Sequence, residues 1–321
     1  MAILTENRIQ TLKFYKMKKV FSIIFITIFF SCNNPERIKK IEKNDVEKDG
    51  LIGKVKILEV KNFVATEKFG KAIKLKLQNW RITTFNILGN IIEEKTLYDN
   101  GEICSIRRIK YNNQNNIIEE TSVCEDNSDI GKYIYDKNGN NIEFTYYING
   151  KISVKHLNRL DKNNNLVDHR LYQYDGILKD KTLSKFNDND LEIETAEYSF
   201  NGTLCVFTSK RIKEYDENGN LIEEENYDEK GNLEFVYKYV YDEKHNEIEK
   251  TLSRDNNIKK NTQTLDKFDN SIEGFEYSND ILESKFANKF RYDKKGNWNQ
   301  RIHLNNDIVN SIVERNIQYY N

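Results

Sequence analysis

The sequence predicts an all-β protein: an antiparallel β-meander of about nine two-stranded repeats forming a long curled or superhelical sheet. Three observations predict it. A phrase recurs down the chain in which an aromatic residue is followed by Asp or Asn, two variable residues, a turn-former, and an aliphatic residue before an acid. Tyr135-Asp136-Lys137-Asn138-Gly139-Asn140-Asn141-Ile142-Glu143 is one copy, and Tyr215 to Glu223 and Tyr241 to Glu249 are others. Aromatic residues also recur two apart before the phrase, as in Tyr133 and Tyr135 or Tyr239 and Tyr241, which puts both on one face of a strand. Finally, the 321 residues contain a single proline, Pro35, so strand ladders run without a missing donor.

The chain opens with a targeting segment. Lys18 and Lys19 precede an eleven-residue apolar run, Val20 to Phe30, and then Ser31 and Cys32. A run of that length is too short to cross a hydrocarbon core of about 30 Å as a helix, and it reads as a signal peptide over residues 1–32. Met17 is read as its start, with residues 1–16 lying upstream of it or forming a long charged region. Phe29-Phe30-Ser31-Cys32 resembles the lipobox of bacterial lipoproteins, which implies acylation of Cys32 and membrane attachment through lipid. Ordinary secretion with an unmodified Cys32 is the alternative reading. Residues 33–52 are polar, charged and free of aromatics, as expected of a tether; residues 53–321 form the repeat domain.

Aligned on its first residue, the phrase gives Phe85, Tyr111, Tyr135, Leu160, Phe186, Tyr215, Tyr241, Phe268 and Tyr292, spaced 24 to 29 residues apart. Asx at the second position with glycine three later (Gly89, Gly139, Gly219, Gly296) is the chemistry of a type I turn closed by a left-handed residue. Where glycine is missing the position holds Asn115, Asn164, Asp190 or His245, the residue types that best tolerate positive φ. Phe268-Asp269-Asn270-Ser271-Ile272 is two residues shorter, and a different loop is expected there. A second set of tighter turns alternates with the first: Asn100-Gly101, Asn149-Gly150, Asp175-Gly176, Asn201-Gly202, Asp255-Asn256 and Asn279-Asp280. These read as two-residue type I′ hairpins. The result is a meander of roughly 18 strands, long turns at one edge and short turns at the other, with an aromatic face turned inward and a charged face outward.

The phrase resembles the YD repeat of Rhs and teneurin-type proteins and of small bacterial lipoproteins that carry such repeats, over about residues 83 to 300. The resemblance implies a β shell. Toxin-carrying Rhs proteins have a proline-bearing core motif, whereas here the sole proline is Pro35, so the resemblance implies neither self-processing nor a toxin payload.

Composition narrows the chemistry further. Fifty basic against 51 acidic side chains give a formal net charge of -1, with no bias toward nucleic acid. Asp136 to Asn140 and Asp216 to Asn220 imitate the start of an EF-hand loop. Positions six and twelve, however, hold Asn141 and Tyr147, or Leu221 and Tyr227, instead of Gly and Glu. His156, His169, His245 and His303 lack zinc spacing, and Glu93-Glu94 and Glu119-Glu120 point to opposite faces of a strand. No metal, cofactor or catalytic residue is expected. Cys104 falls opposite residue 124 or 125, so a disulfide between Cys104 and Cys124 is one reading and two free thiols offset by one register step the other; Cys205 is expected to be unpaired and buried. The functional expectation is a non-enzymatic, lipid-anchored binding or structural module of the bacterial envelope, on the periplasm-facing side of the outer membrane, with an envelope protein or glycan as partner. An immunity or accessory protein of an Rhs-type toxin system is the alternative.

Overall fold

The computed structural model describes residues 43–125 and 127–321; Cys32 with its signal segment, and residues 33–42, lie outside the described residues. A one-turn helix, α1 (Asp45–Lys48), comes first. Asn44 caps it, its side chain accepting from the Glu47 amide while the Glu47 carboxylate accepts from the Asn44 amide, each at 3.0 Å.

Twenty strands follow among the described residues. They are β1 (Val55–Lys68), β2 (Lys71–Phe85), β3 (Ile91–Leu97), β4 (Ile103–Tyr111), β5 (Ile117–Cys124), β6 (Asn127–Tyr135) and β7 (Asn141–Ile148). Next come β8 (Lys151–Leu160), β9 (Leu166–Gln173), β10 (Leu178–Phe186), β11 (Glu192–Asn201), β12 (Leu204–Tyr215), β13 (Leu221–Tyr227) and β14 (Leu233–Tyr241). The last are β15 (Glu247–Arg254), β16 (Asn257–Leu265), β17 (Ser271–Ser278), β18 (Ile281–Tyr292), β19 (Trp298–Asn305) and β20 (Ile308–Tyr319). Each pairs antiparallel with the next, and β1 also pairs with β20, from Val55 opposite Tyr319 to Val64 opposite Ser311.

That last pairing closes the sheet into a 20-stranded barrel and corrects the open curled or superhelical sheet expected from sequence. The physical reason is the edge. An open meander leaves two rows of unpaired amides and carbonyls, and strand twist accumulated over so many pairs brings those edges together. The closing strands were hard to read because β1 and most of β20 lie outside the repeated phrase, which accounts for eighteen strands only. At ordinary strand spacing and tilt such a barrel is roughly 40 Å across, too wide for side chains of opposite walls to meet. Substantial strand contacts accordingly join ring neighbours, and β2 with β20, which flank β1.

Nine equivalent five-residue turns form one rim. In each, the first amide donates to the fifth carbonyl, and the first side chain accepts from the third and fifth amides. In the turn at Asp136 these distances are 2.9, 2.8 and 2.9 Å. The copy assigned to Phe268 is a misalignment. The turn starts at Asp266, whose side chain accepts from Phe268 and Asn270, and Asp269 takes the left-handed position at φ 62°. Leu265 therefore holds the aromatic position, and a sequence search anchored on an aromatic residue slips by three. At the opposite rim, Asn149-Gly150, Asp255-Asn256 and Asn279-Asp280 make two-residue turns, whereas Asn100-Gly101 and Asp175-Gly176 sit in five-residue loops and Asn201 is the last residue of its strand.

The densest packing lies on both sides of the β1–β20 seam. On the lumen side Val46 and Leu51, from the segment assigned to the tether, pack with Val55, Leu58 and Phe85; Phe85 is 0% exposed. On the outer side Ala65, Leu304, Val309 and Ile312 form a second cluster. The β1–β2 hairpin bends at bulges after Asn62 and Val64, so its far half leans over β19 and β20; Ala72 joins this outer cluster and Lys74 pairs with Glu314. We expect Phe85→Ala to cost about 3–5 kcal/mol of stability and Leu58→Ala about 2–5 kcal/mol. Ile134→Ala, where the side chain is 51% exposed on the wall away from the seam, should cost far less. Urea midpoints of the three variants check this, and equal losses would contradict a seam-centred core.

Candidate functional site

Register sorts the side chains of the wall into two sets. Tyr133, Phe144 and His156 stand opposite one another on β6, β7 and β8, and Tyr237, Arg211, Arg301 and Arg315 share their face. Lys132, Thr145 and Lys155 occupy the other, with Asp168, Lys238 and Glu314. The first set lines the lumen, where the concave wall crowds side chains together. Burial pushes the Tyr239 phenol up to about 12, raises Tyr133, and pulls His156, His303 and Arg301 down.

Rings form short ladders along this inner surface. Tyr133 and Phe144 have centroids 4.7 Å apart, Phe144 and His156 5.4 Å, and His156 and His169 5.1 Å, with a 2.9 Å contact between His156 Nδ1 and His169 Nε2. Glu120 accepts from Arg107 at 3.0 Å and from Tyr133 at 3.1 Å. Gly274 is required by close approach, because a Cβ there would lie 2.2 Å from the Phe286 ring. The lumen is therefore an aromatic and polar surface open to water.

The outer wall carries a belt of ion pairs. In six copies the acid that follows the aliphatic residue of the repeat faces outward and meets a base on its own or a neighbouring strand. Glu93 is 2.7 Å from Lys95 and 2.9 Å from Arg108; Glu119 is 2.7 Å from Lys110; Glu143 is 2.9 Å from Lys155; Glu223 is 2.9 Å from Lys238. Asp168 occupies the same level with Arg170 at 2.9 Å; burial works to raise its carboxyl, but Arg170 and the charges of Lys181 and Arg159 lower it on balance. Hydrogen bonds from Lys95 and Lys110 hold Glu93 and Glu119 low.

The predicted turn residues Gly89, Gly139, Gly219 and Gly296 have φ between 81 and 91°, and His245 has φ 67°. Asn115, Asn164 and Asp190 adopt φ 65, 69 and 59°. The calcium-like spelling of the turns is consumed internally: Asp216 Oδ1 accepts from the Asn218 and Asn220 amides and Oδ2 from the Asn220 side chain. Among the described residues no group of three metal-ligating side chains converges. Turns are also tied to one another around the rim. Tyr111 donates to the Ile91 carbonyl, Tyr135 to Ile117, Tyr215 to Glu192 and Tyr241 to Leu221, each at 2.7 or 2.8 Å. Tyr319 bonds Asp293, and Tyr320 donates to the Phe85 carbonyl at 2.6 Å, which carries the chain of bonds across the seam. Cys124 stands opposite Ser105, one position past Cys104, and both are free thiols; Cys205 is exposed, contrary to the burial expected of it.

Sequence reasoning missed the cluster of Trp298, Arg301 and Arg315 on the lumen wall. Their strands are joined in register only by folding, and a period of two puts Trp298 and Arg301 on opposite faces; the bulge at Asn299 brings them to one face. It also missed Tyr227-Asp228-Glu229-Lys230-Gly231-Asn232, a further copy of the phrase that makes the same turn at the opposite rim.

No family model matches the chain, and no curated protein matches it. Among solved structures it is distantly similar to TcdB2-TccC3-TEV, at 12% identity and a TM-score of 0.30 over 78% of this chain and 16% of that one. It is also distantly similar to a porin-like protein from Bacteroides uniformis (7% identity, TM-score 0.34, 82% of this chain and 98% of that one). A porin-like protein from Bacteroides vulgatus gives 12% identity and a TM-score of 0.28, over 83% and 99% of the two chains. This chain thus spans 16% of the length of the TcdB2-TccC3-TEV chain.

Two outcomes follow from the turn chemistry. At φ 67° a β-branched residue is strained, so His245→Val should lose about 1–2 kcal/mol while His245→Gly keeps wild-type stability, by urea unfolding. Asp216 is held below its ordinary value, first by the hydrogen bond from the Asn220 side chain. Its ionised form is favoured by folding, so its contribution is present above the unfolded pKa of about 4 and lost as pH falls through the lower folded pKa. The stability difference between wild type and Asp216→Asn should therefore be constant from pH 7 to 5 and shrink toward pH 3; a difference that widens on acidification would contradict the assignment.

Proposed function

We propose that this chain is a lipid-tethered protein of the bacterial cell envelope, facing the periplasm. Its barrel stands in water beside the membrane and acts without catalysis as a binding or structural module. The observation that carries this reading is the ion-pair belt. A wall that faces lipid alternates apolar side chains outward, and each Lys or Arg at the bilayer midplane costs about 2–4 kcal/mol. Here the outward set includes Lys110, Lys132, Lys155, Lys185 and Lys238 around the ring, four of them paired with acids.

The lumen is the surface left to bind. Its tyrosines combine a flat apolar ring with a polar hydroxyl, which suits stacking against a glycan or a peptide. Two of its carboxylates are held by arginine, Glu120 by Arg107 and Glu197 by Arg211, which favours a binding surface over a pair of acids free to move protons. The tether would reach the barrel at the rim of five-residue turns, because α1 and Leu51 pack there.

The test is fractionation of the whole chain. Wild type should sediment with membranes, and Cys32→Ala should be recovered in the aqueous fraction without detergent. Retention of Cys32→Ala in membranes until detergent is added would mean that the wall itself faces lipid, and the proposal would fail.

A further inference from the structure

Beside the seam, β19, β20, β1 and β2 bring three arginines to one patch of the lumen wall. Arg301 stands opposite Val313; Arg315, two residues on, stands opposite Val60; and Val60 stands opposite Arg81. Trp298 supplies the floor. The Arg315 guanidinium carbon lies 3.5 Å from the centre of its ring and that of Arg301 lies 5.6 Å away. Arg81 has Glu94 at 4.0 Å.

Arg301 and Arg315 have no such partner. Among the described residues neither forms an ion pair or donates a hydrogen bond to the protein, and the Nε of each is buried without an acceptor. This sets them apart from Arg107, Arg108, Arg170 and Arg211, each of which has a carboxylate within 3.0 Å. Burial pushes Arg315 down to about 10, with Asp49 opposing and the charges of Arg301 and Arg81 adding to it. Two cations that have lost water and gained no hydrogen-bonded carboxylate are unfavourable unless something supplies the acceptors. Stacking on an indole leaves the N–H edge of a guanidinium free in its own plane, where its forked donors match a carboxylate or phosphate.

We propose that Arg301 and Arg315, on Trp298, form an oxyanion-binding site in the lumen that takes the phosphate or carboxylate group of a ligand. The site rests on the reading of the lumen as the binding surface and gives that surface a chemical preference. Arg81 adds positive charge at its edge. Both guanidiniums and the indole are only part-buried as residues, so the site is reached from the water of the lumen.

The chain contains two tryptophans, and Trp80 lies on the outer wall with Lys61 over its ring at 4.0 Å. Trp80→Phe therefore leaves Trp298 as the sole tryptophan, read with excitation at the red edge where tyrosine does not absorb. In that background, sodium phosphate and sodium succinate are titrated separately against chloride at matched ionic strength. A saturable change in Trp298 emission is expected in at least one arm, weakened at least about tenfold by Arg315→Gln or Arg301→Gln. Cooperative thermal unfolding of each variant shows that the fold is kept, and Arg301→Gln serves if Arg315→Gln does not fold. A response no larger than that to chloride, or one unchanged in the folded variants, overturns the site. That result would leave the tethered-barrel reading intact if Cys32→Ala is still recovered without detergent; retention of Cys32→Ala in membranes would undo that reading whatever the titration gives.

Discussion

Everything in this fold depends on the pairing of β1 with β20. A ring of hairpins has local contacts everywhere except at the place where its ends meet, and closing that gap sets a loop of some 250 residues whose entropy cost must be met there. The chain concentrates its buried hydrophobic residues on the two sides of that junction. Leu58 and Phe85 are sealed from within by Val46 and Leu51, while Leu304, Val309 and Ile312 are sealed from without by the bent hairpin at Ala65 and Ala72. Elsewhere the wall is a single sheet, held by its ladders and cross-strand pairs.

The rim of turns complements the seam. Each turn is satisfied within itself, because an Asx oxygen takes up two amides that would otherwise point into solvent. Each is also tied to a neighbour, by a tyrosine hydroxyl on a carbonyl or by side chains such as Asn140 on Asn164. Tyr319 and Tyr320 extend the same device to β20 and across the seam. The redundancy means that losing one turn weakens one link of the rim, whereas losing the seam opens the ring.

The two faces of the wall have distinct electrostatics because they meet different surroundings. Outside, charges alternate in sign and pair across strands. Inside, rings and arginines are crowded by curvature and partly stripped of water, which is where pKa values move. The exception is the pair Arg301 and Arg315, to which no carboxylate is ion-paired or hydrogen-bonded. That asymmetry is the basis for assigning recognition to the lumen.

Residue by residue, the turns were the most legible part of the molecule. The left-handed residues at Asn115, Asn164, Asp190 and His245 could be named from sequence because backbone sterics restrict which side chains tolerate positive φ within a few residues of chain. The period of two separated the two faces of each strand, although the inner face also carries Arg107, Arg211 and Lys250 and the outer face Tyr198, Tyr227 and Phe275. The frame at Leu265 was missed because the register depends on Asp266 and the turn, with the preceding aromatic dispensable. The sequence by itself determined these local things, turn chemistry and the sidedness of strands, because each is set by neighbours along the chain. Only the tertiary structure decided closure, the packing of α1 on the rim, the exposure of Cys205 and the meeting of Trp298, Arg301 and Arg315. Those depend on which strands become neighbours once accumulated twist has carried β20 round to β1, and no local pattern encodes that distance.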